Sequence, residues 1–251
     1  MYIQRQEQLH LKSVLNNGLI AILYGARQVG KTTLAKETAK DFKNSLYLNC
    51  DDPNVILGLA DKSAVELKSY VGNADLVIID EGQRVSNIGL IIKLLHDTYP
   101  EIRILVTGST SLDLANKVSE PLTGRSEEII LYPLSVSEVS SNRPESEANL
   151  HTILDRGGYP AIWQLSESEA HDRLSTLANN YIYRDAFGPQ VRFDQTVIND
   201  LLRLLAYQIG QEVSYGELAG KLSVTKETIM RYIDLLEKAF IALRRNQYRR
   251  N

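Results

Sequence analysis

Residues 19–33 read LIAILYGARQVGKTT. Residues 19–24 are an apolar run typical of a buried strand, and residues 25–32 match G-x-x-x-x-G-K-[ST] at every fixed position. A glycine-rich turn between a strand and a helix curls the backbone so that its N–H groups, together with the positive end of the helix, face a phosphate group. A chance glycine-rich turn is the alternative, but the strand before it and the helical pattern after it favour a phosphate-binding loop.

This loop predicts a nucleotide site in which each residue has a role. Lys31 is expected to contact the β- and γ-phosphates, and the Thr32 hydroxyl is expected to ligate Mg²⁺. The residues predicted to surround the nucleotide are Gly25, Ala26, Arg27, Gln28, Val29, Gly30, Lys31, Thr32 and Thr33.

A second candidate element ends in two acids, because residues 75–81 read DLVIIDE. Asp80 is predicted to hold a Mg²⁺-bound water, and Glu81 is predicted to be the general base that polarises an attacking water. An Asp-Glu pair after an apolar run is otherwise an ordinary solvated strand end. The phosphate-binding loop upstream favours the catalytic interpretation, and the acid beside Asp80 favours hydrolysis over nucleotide storage.

Two later residues are weaker candidates. Ser109 follows the apolar run at 102–106 and is predicted to be a polar sensor near the γ-phosphate, with a helix cap as the alternative. Arg125 precedes the run at 128–131. It is either an ordinary surface residue or an arginine that reaches the γ-phosphate of a neighbouring subunit, which would require a homo-oligomer.

The rest of the first half repeats one pattern, a short apolar run followed by a helical segment. The runs are residues 19–24, 45–48, 76–79, 102–106 and 128–131. Such runs are typical of strands covered on both faces, so the pattern predicts an α/β fold with a parallel sheet flanked by helices. After Pro133 helical spacing replaces the strand signals, residues 135–149 form a predicted surface connection, and the GGYP breaker at 157–160 separates two helical segments.

Residues 214–243 predict a helix-turn-helix. Ser214 and Glu217 form a predicted capping box, residues 223–225 form a tight break, and a longer apolar-striped helix follows. Residues 241–250 are expected to begin the hairpin of a winged helix.

The charge of this end leaves the question of DNA binding open. Residues 201–251 hold 9 Lys and Arg against 5 Asp and Glu, whereas the whole chain has a net charge of -3. The candidate DNA contacts are Lys226, Thr228, Arg231, Arg244, Arg245, Arg249 and Arg250. The acids Glu227, Asp234 and Glu237 share the second helix with some of them, so a protein-binding or lid module is the alternative.

Composition restricts the class of protein to which this chain can belong. The 251 residues are 43% hydrophobic and 24% charged, which is ordinary for a globular protein. Cys50 is the only cysteine, the N-terminus is polar, and no apolar run is long enough to span a bilayer. We therefore expect a soluble cytoplasmic protein without a membrane partner.

In their order along the chain, these motifs resemble a prokaryotic AAA-type ATPase family that carries a C-terminal winged helix. Further points of similarity are NCDDP at 49–53, LTGR at 122–125 with YPL at 132–134, GGYP at 157–160, YRD at 183–185 and RYIDLLE at 231–237. The resemblance implies ATP as the nucleotide, residues 107–109 at the sensor position and Arg125 as the trans-acting arginine. Family members continue into a restriction-endonuclease-like domain of unsettled function, so this chain is expected to be cut short.

The sequence thus predicts four segments: an N-terminal helix at 1–17, an AAA-type ATPase domain at 18–133, a helical linker or lid at 134–193, and a truncated winged-helix domain at 194–251. The predicted function is Mg²⁺-dependent ATP hydrolysis coupled to movement of the winged helix. The alternative is a nucleotide-gated DNA-binding regulator or adaptor with slow or no hydrolysis. A small-molecule phosphotransferase is less favoured, because the Asp80-Glu81 pair suits water as the acceptor.

Overall fold

The structure is a computed structural model that describes residues 2–108, 122–184 and 194–245. The chain divides into two compact units, Met1–Leu174 and Ser175–Asn251, which we refer to as the N-terminal and C-terminal units. The strands are β1 (Ile20–Tyr24), β2 (Ser45–Asn49), β3 (Leu76–Asp80), β4 (Arg103–Gly108) and β5 (Ser126–Ile130). The helices up to β5 are α1 (Glu7–Asn16), α2 (Lys31–Ala39), α3 (Pro53–Leu59), α4 (Ala64–Val71) and α5 (Ile88–Thr98).

In the described part of the chain, the five strands form one parallel sheet in the order β2-β3-β4-β1-β5. The predicted α/β fold with a parallel sheet is therefore confirmed. Strand β4 lies between β1 and β3, so the strand that precedes the glycine-rich loop is separated from the acidic strand by one neighbour. Since the carboxyl ends of parallel strands meet at one edge of a sheet, the carboxyl ends of these three strands lie close together.

The inner strands make the core of the N-terminal unit. Every residue of β1 and of β3 is buried, while β2 and β5 at the two edges of the sheet are partly exposed. Helix α5 packs an apolar face that includes Ile88, Ile92 and Leu95. Burial of both faces explains why the central strands are nearly continuous apolar runs instead of alternating ones.

Helices follow the sheet, as predicted. They are α6 (Val136–Val139), α7 (Arg143–Arg156), α8 (Pro160–Trp163) and α9 (Glu167–Arg184). Residues 135–149, interpreted as a surface connection, contain α6 and the first half of α7, and neither helix has a buried residue. Helix α7 begins after Asn142, whose side chain accepts a hydrogen bond from Glu145 N. The breaker at 157–160 does separate α7 from α8. In the described residues no helix is both long and apolar enough to cross a membrane.

The C-terminal unit contains α10 (Gln195–Tyr207), α11 (Tyr215–Leu222) and α12 (Lys226–Lys238). The apolar faces of these helices share one core, whose buried members are Ile198, Leu201, Leu218, Ala219, Ile229, Tyr232, Ile233 and Leu236. Helix α11 ends at Ser223, which is left-handed with φ 54°, and Thr225 then caps α12 by accepting from Thr228 N at 3.2 Å. The predicted pair of helices joined by a tight break is present.

Two details of this unit differ from the predictions. Ser214 caps α11 by accepting from Glu217 N, but the Glu217 carboxylate pairs with Lys221 Nζ at 2.6 Å, so only the serine half of the capping box is seen. Residues 241–245 contain no strand, and the remainder of the predicted wing, including Arg249 and Arg250, lies outside the described residues.

Candidate nucleotide-binding site

The loop between β1 and α2 has the backbone that its glycines predict. A Cβ on Gly25 would lie 2.3 Å from the backbone oxygen of Leu131, so only glycine fits where the loop passes this neighbouring chain segment. Gly30 has φ 98°, a conformation that side chains with a Cβ rarely adopt, and it directly precedes the first residue of α2. The loop therefore ends at a helix N-terminus, which is the arrangement that binds phosphate groups.

Lys31 lies across this loop. Its side chain is buried, and Nζ donates to the Gly25 and Ala26 carbonyls at 2.9 Å each. Burial lowers the pKa of Lys31 to about 8, although the nearby Glu81 and Asp80 carboxylates act in the opposite direction. An ammonium in this position is held by two backbone oxygens and keeps a third N–H to donate.

Asp80, at the end of β3, is the centre of a buried hydrogen-bond cluster. Thr32 Oγ1 donates to Asp80 Oδ2 at 2.8 Å, Tyr47 OH donates to the same oxygen at 2.5 Å, and Thr107 Oγ1 donates to Oδ1. Burial and the bond to Asp80 raise the pKa of Tyr47, so its phenol stays a donor. The hydroxyl of Thr32 and the carboxylate of Asp80 are hard oxygen groups of the kind that Mg²⁺ prefers, so this pair fits the predicted metal.

Glu81 follows directly and has an unusual backbone, with φ 56°. Its N–H donates to Thr107 Oγ1 at 3.2 Å, and Gln83 Nε2 donates to its Oε2 at 2.5 Å. A left-handed backbone conformation is uncommon for a residue other than glycine, and it marks a constrained position. These contacts orient the Glu81 side chain at the wall of the cleft.

A cleft of about 670 Å³ opens beside the loop. Its lining residues are Tyr2, Ile3, Arg5, Arg27, Gln28, Gly30, Lys31, Thr32, Thr33, Glu81, Leu134, Pro160, Ala161, Gln164 and Arg173. Four of them carry a positive charge and one a negative charge, so the cleft has an excess of cations. The lining also includes the apolar residues Ile3, Leu134, Pro160 and Ala161.

Arg5 is the member of this wall that the sequence did not indicate. It is 4% exposed, and its guanidinium donates to Val29 O at 2.7 Å, to Tyr132 O at 2.5 Å and to Glu138 Oε1 at 2.9 Å. Burial by itself raises the pKa of Glu138, but hydrogen bonds from Ser135 N and Arg5 outweigh it and hold that pKa below its usual value. The N-terminal segment is thereby tied to the glycine-rich loop.

No local sequence pattern predicts that Arg5 ties the N-terminal segment to the loop, because its three partners lie 24, 127 and 133 residues away in sequence. Tyr47 was missed for a similar reason, since its partner Asp80 is 33 residues away. Thr107, by contrast, falls at the sensor position that the family resemblance implies, and it contacts both acids.

The two weaker candidates, Ser109 and Arg125, have different outcomes. Ser109 lies outside the described residues. Arg125 precedes β5 at the amino end of the sheet, whereas the glycine-rich loop follows the carboxyl end of β1, and a five-residue strand is about 16 Å long. Arg125 forms an exposed ion pair with Asp97 at 2.7 Å. Within one chain it therefore faces away from the phosphate-binding loop.

The candidate DNA contacts of the C-terminal unit are partly engaged with acids. Among these candidates, Arg244 pairs with Glu237 at 2.5 Å. On the same helix Lys238, which is not one of the candidates, pairs with Asp234 at 2.8 Å. The side chain of Arg231 lies over the ring of Tyr232, 5.5 Å from its centroid. The exposed face of α12 thus carries charges of both signs.

Comparison with known proteins agrees with this geometry. The family model of an AAA domain matches residues 17–140, and that of a domain of unknown function (DUF8612) matches residues 147–251. An uncharacterized protein of Mycobacterium tuberculosis is 29% identical over 244 residues, covering 96% of this chain and 53% of its own length. The chain spans about half the length of the curated relatives it matches.

Solved structures add the fold. A Walker-type ATPase of Pyrococcus abyssi has a TM-score of 0.64 at 16% identity, with 95% of this chain and 90% of that chain covered. The ORC2 protein of Aeropyrum pernix, solved with ADPNP and ADP, has a TM-score of 0.57 at 18% identity, with 96% and 86% covered. These two structures share the fold of this chain, and the AAA domain model matches its residues 17–140.

Proposed function

We propose that this protein binds ATP with Mg²⁺ in the cleft of the N-terminal unit and hydrolyses it to ADP and phosphate. The observation that carries the proposal is the convergence of two sequence motifs 48 residues apart, whose side chains Thr32 and Asp80 lie 2.8 Å from each other. This pairing brings the glycine-rich loop and the acidic strand end into one site.

The charge and shape of the cleft suit a nucleoside triphosphate. Arg27, Lys31 and Arg173 line it and would neutralise a polyanionic phosphate chain. The apolar lining residues Ile3, Leu134, Pro160 and Ala161 suit the nucleoside end. Mg²⁺, held by Thr32 and by Asp80 through water, would offset charge on the β- and γ-phosphate oxygens.

Hydrolysis requires a group that accepts a proton from water. Glu81 lines the cleft, directly follows Asp80 and is held by Gln83 and Thr107. Its carboxylate would take a proton from the attacking water, whose oxygen forms a bond to the γ-phosphorus. The bond from the γ-phosphorus to the bridging oxygen breaks, so that ADP and phosphate are the products. Ser109 stays a predicted sensor beside this site.

We propose that the C-terminal part of the chain responds to nucleotide binding in the cleft. Arg173, which lines the cleft, belongs to α9, and this helix continues to Arg184. We assign residues 134–193 to a lid or linker and residues 194–251 to a winged-helix domain that responds to the nucleotide. Because Arg125 faces away from the cleft of its own chain, its proposed role is toward a second copy in a homo-oligomer.

Two variants test the proposal. Lys31→Ala should abolish binding of a fluorescent ATP analogue, because the buried ammonium is the main cation at the loop. Glu81→Gln should bind the analogue normally and lose phosphate release, because its amide accepts no proton. Equal phosphate release by Glu81→Gln and the wild type would overturn the assignment of the base.

The alternative function is a DNA-binding regulator gated by the nucleotide. Measurements with duplex DNA distinguish it from an ATPase. The ATPase rate is compared with and without duplex DNA, and DNA binding is followed as salt is raised. Contacts to DNA phosphates weaken steeply with salt. The mixed charges on α12 lead us to expect little binding, and tight salt-sensitive binding with negligible hydrolysis would favour the regulator.

A further inference from the structure

We propose that Tyr47 is a positioning residue for Mg²⁺, which acts by holding the Asp80 carboxylate against the Thr32 hydroxyl. This inference rests on the proposed function, because it concerns the metal that accompanies the nucleotide. Tyr47 lies in the middle of β2, outside both nucleotide motifs.

The sheet register brings Tyr47 and Asp80 together. Tyr47 pairs with Ile78 and Asn49 pairs with Asp80 in the parallel β2–β3 ladder. Successive side chains along a strand point to opposite faces, so Tyr47, Ile78 and Asp80 share one face. Tyr47 and Asp80 are therefore diagonal neighbours, a separation that a long aromatic side chain spans. The phenol oxygen accordingly reaches Asp80 Oδ2 at 2.5 Å.

The hydrogen-bond capacity of Asp80 gives this contact its effect. A carboxylate accepts about four hydrogen bonds, two on each oxygen. Thr32 and Tyr47 fill both positions on Oδ2, and Thr107 takes one on Oδ1. The remaining position on Oδ1 suits a hydrogen bond from a metal-bound water. The filled Oδ2 cannot swing away from Thr32 without breaking two bonds.

The state of the Thr32 hydroxyl follows from the same geometry. Its hydrogen is donated to Asp80 Oδ2, so the lone pairs of Oγ1 are left to bind a metal ion. Tyr47 keeps Oδ2 in place to receive that hydrogen. Tyr47 is in turn fixed from the helix that begins at Lys31, because Lys36 Nζ lies 4.4 Å from the centroid of its ring.

Tyr47→Phe removes the phenol oxygen and keeps the ring. Binding of a fluorescent ADP analogue is measured as Mg²⁺ is increased, and again with the chelator EDTA present. We expect the Mg²⁺ concentration at half-maximal enhancement to rise by about tenfold, the lower end of the range typical for outer partners of metal ligands. Binding in EDTA should stay at the wild-type level, since Tyr47 acts only through Asp80. A purely structural role would weaken both.

The matched control is Tyr99→Phe, because Tyr99 also lies under a lysine, with Lys68 Nζ 5.5 Å from its ring centroid. This variant should keep the wild-type Mg²⁺ dependence. In a double-mutant cycle, Tyr47→Phe should add little to Asp80→Asn, because both changes act on one carboxylate. The melting temperature of each variant verifies that it is folded.

Three results separate the possibilities. An unchanged or lower Mg²⁺ requirement in Tyr47→Phe would overturn the role of Tyr47 and leave the proposed function intact. Additive effects of Tyr47→Phe and Asp80→Asn would also overturn it. If the wild-type protein binds the nucleotide analogue neither with nor without Mg²⁺, the proposed function itself fails.

Discussion

The two units of this chain differ in where their polar and charged side chains lie. Among the described residues, the buried polar and charged side chains are Arg5, Gln8, Lys31, Thr38, Asp80 and Thr107, and all of them belong to the N-terminal unit. Most of them lie at or beside the cleft. The N-terminal unit thus concentrates buried charge where a ligand is proposed to bind.

The C-terminal unit keeps its charges on the surface. Its core is built from aliphatic side chains and Tyr232, whose hydroxyl accepts from Asp194 N at 3.2 Å. Its ion pairs are local, for example Lys221 with Glu217 and Lys238 with Asp234, each one helical turn apart. Exposed pairs of this kind contribute little to stability.

This difference indicates that the N-terminal unit contains a binding site, whereas the C-terminal unit is held together by apolar packing. Burial of a charge without compensation is costly, so buried charges persist where hydrogen bonds satisfy them and where they serve a site. The N-terminal unit has such a network and the C-terminal unit has an apolar bundle. Substitutions in the first should alter stability and ligand binding together, and substitutions in the second should alter stability alone.

The largest effect is expected for Arg5→Met. This change leaves the buried Glu138 carboxylate without its cation and removes the donor to Val29 O. Loss of one partner from a buried ion pair typically costs about 3–5 kcal/mol of unfolding free energy. The measurement is urea denaturation followed by the fluorescence of Trp163, the only tryptophan, which lies in the N-terminal unit.

Nucleotide affinity should fall in the same variant, since the loop loses a contact. The double variant with Arg5→Met and Glu138→Gln should regain part of the stability, because no unpaired charge remains. Arg143→Met, which breaks the exposed pair with Glu147, is the control and should leave the urea midpoint unchanged. Wild-type stability of Arg5→Met would contradict the proposed contrast between the units.

A cavity in the C-terminal core should have a slightly smaller effect and no influence on the cleft. Ile229 is fully buried in α12, and Ile229→Ala should cost about 2–5 kcal/mol of unfolding free energy. Circular dichroism should detect an earlier helical transition, while the Trp163 transition and the affinity for the ADP analogue stay unchanged. Loss of nucleotide binding in this variant would show that the contrast between the units is wrong.

The smallest effect concerns pH. Since burial lowers the pKa of Lys31 to about 8, the free protein loses this charge as pH rises from 7 to 9. Affinity for the ADP analogue should fall over that range, approaching about tenfold per pH unit above pH 8. Glu81 normally raises this pKa, so in Glu81→Gln the fall should begin at a lower pH. An affinity for the ADP analogue that does not change between pH 7 and pH 9 would contradict this role of the Lys31 charge.

The stability of the free protein should change in the opposite direction. Below pH 8 Lys31 is protonated in both the folded and the unfolded chain, and its burial is a cost. Between pH 8 and the ordinary lysine value of 10.5, the unfolded chain holds more protons at this position. Stability from this group therefore rises with pH over that interval.

Much of the site could be predicted because its residues form contiguous motifs. The loop at 25–32 requires glycines for backbone reasons that are local, as at Gly25 and Gly30. Asp80 and Glu81 follow an apolar run that had to be a buried strand. The helix-turn-helix was predictable from the caps Ser214 and Thr225, since capping involves residues within one turn.

Other parts depend on contacts that local sequence does not encode. The helix at 143–156 has few apolar residues and no buried one, so hydrophobic periodicity missed it. The charges of Arg5 and Glu138 look like surface charges until the fold buries them.

The pattern of strands, the phosphate-binding loop and the acidic strand end were set by local composition, because glycine conformations and apolar runs act over a few residues. The order of the strands and the partners of Asp80 depended on the tertiary structure. Parallel strands are joined by crossovers, so adjacency in the sheet need not follow chain order: β1 lies between β4 and β5 and is not paired with β2. That order brings Thr32, Tyr47 and Thr107 to one carboxylate.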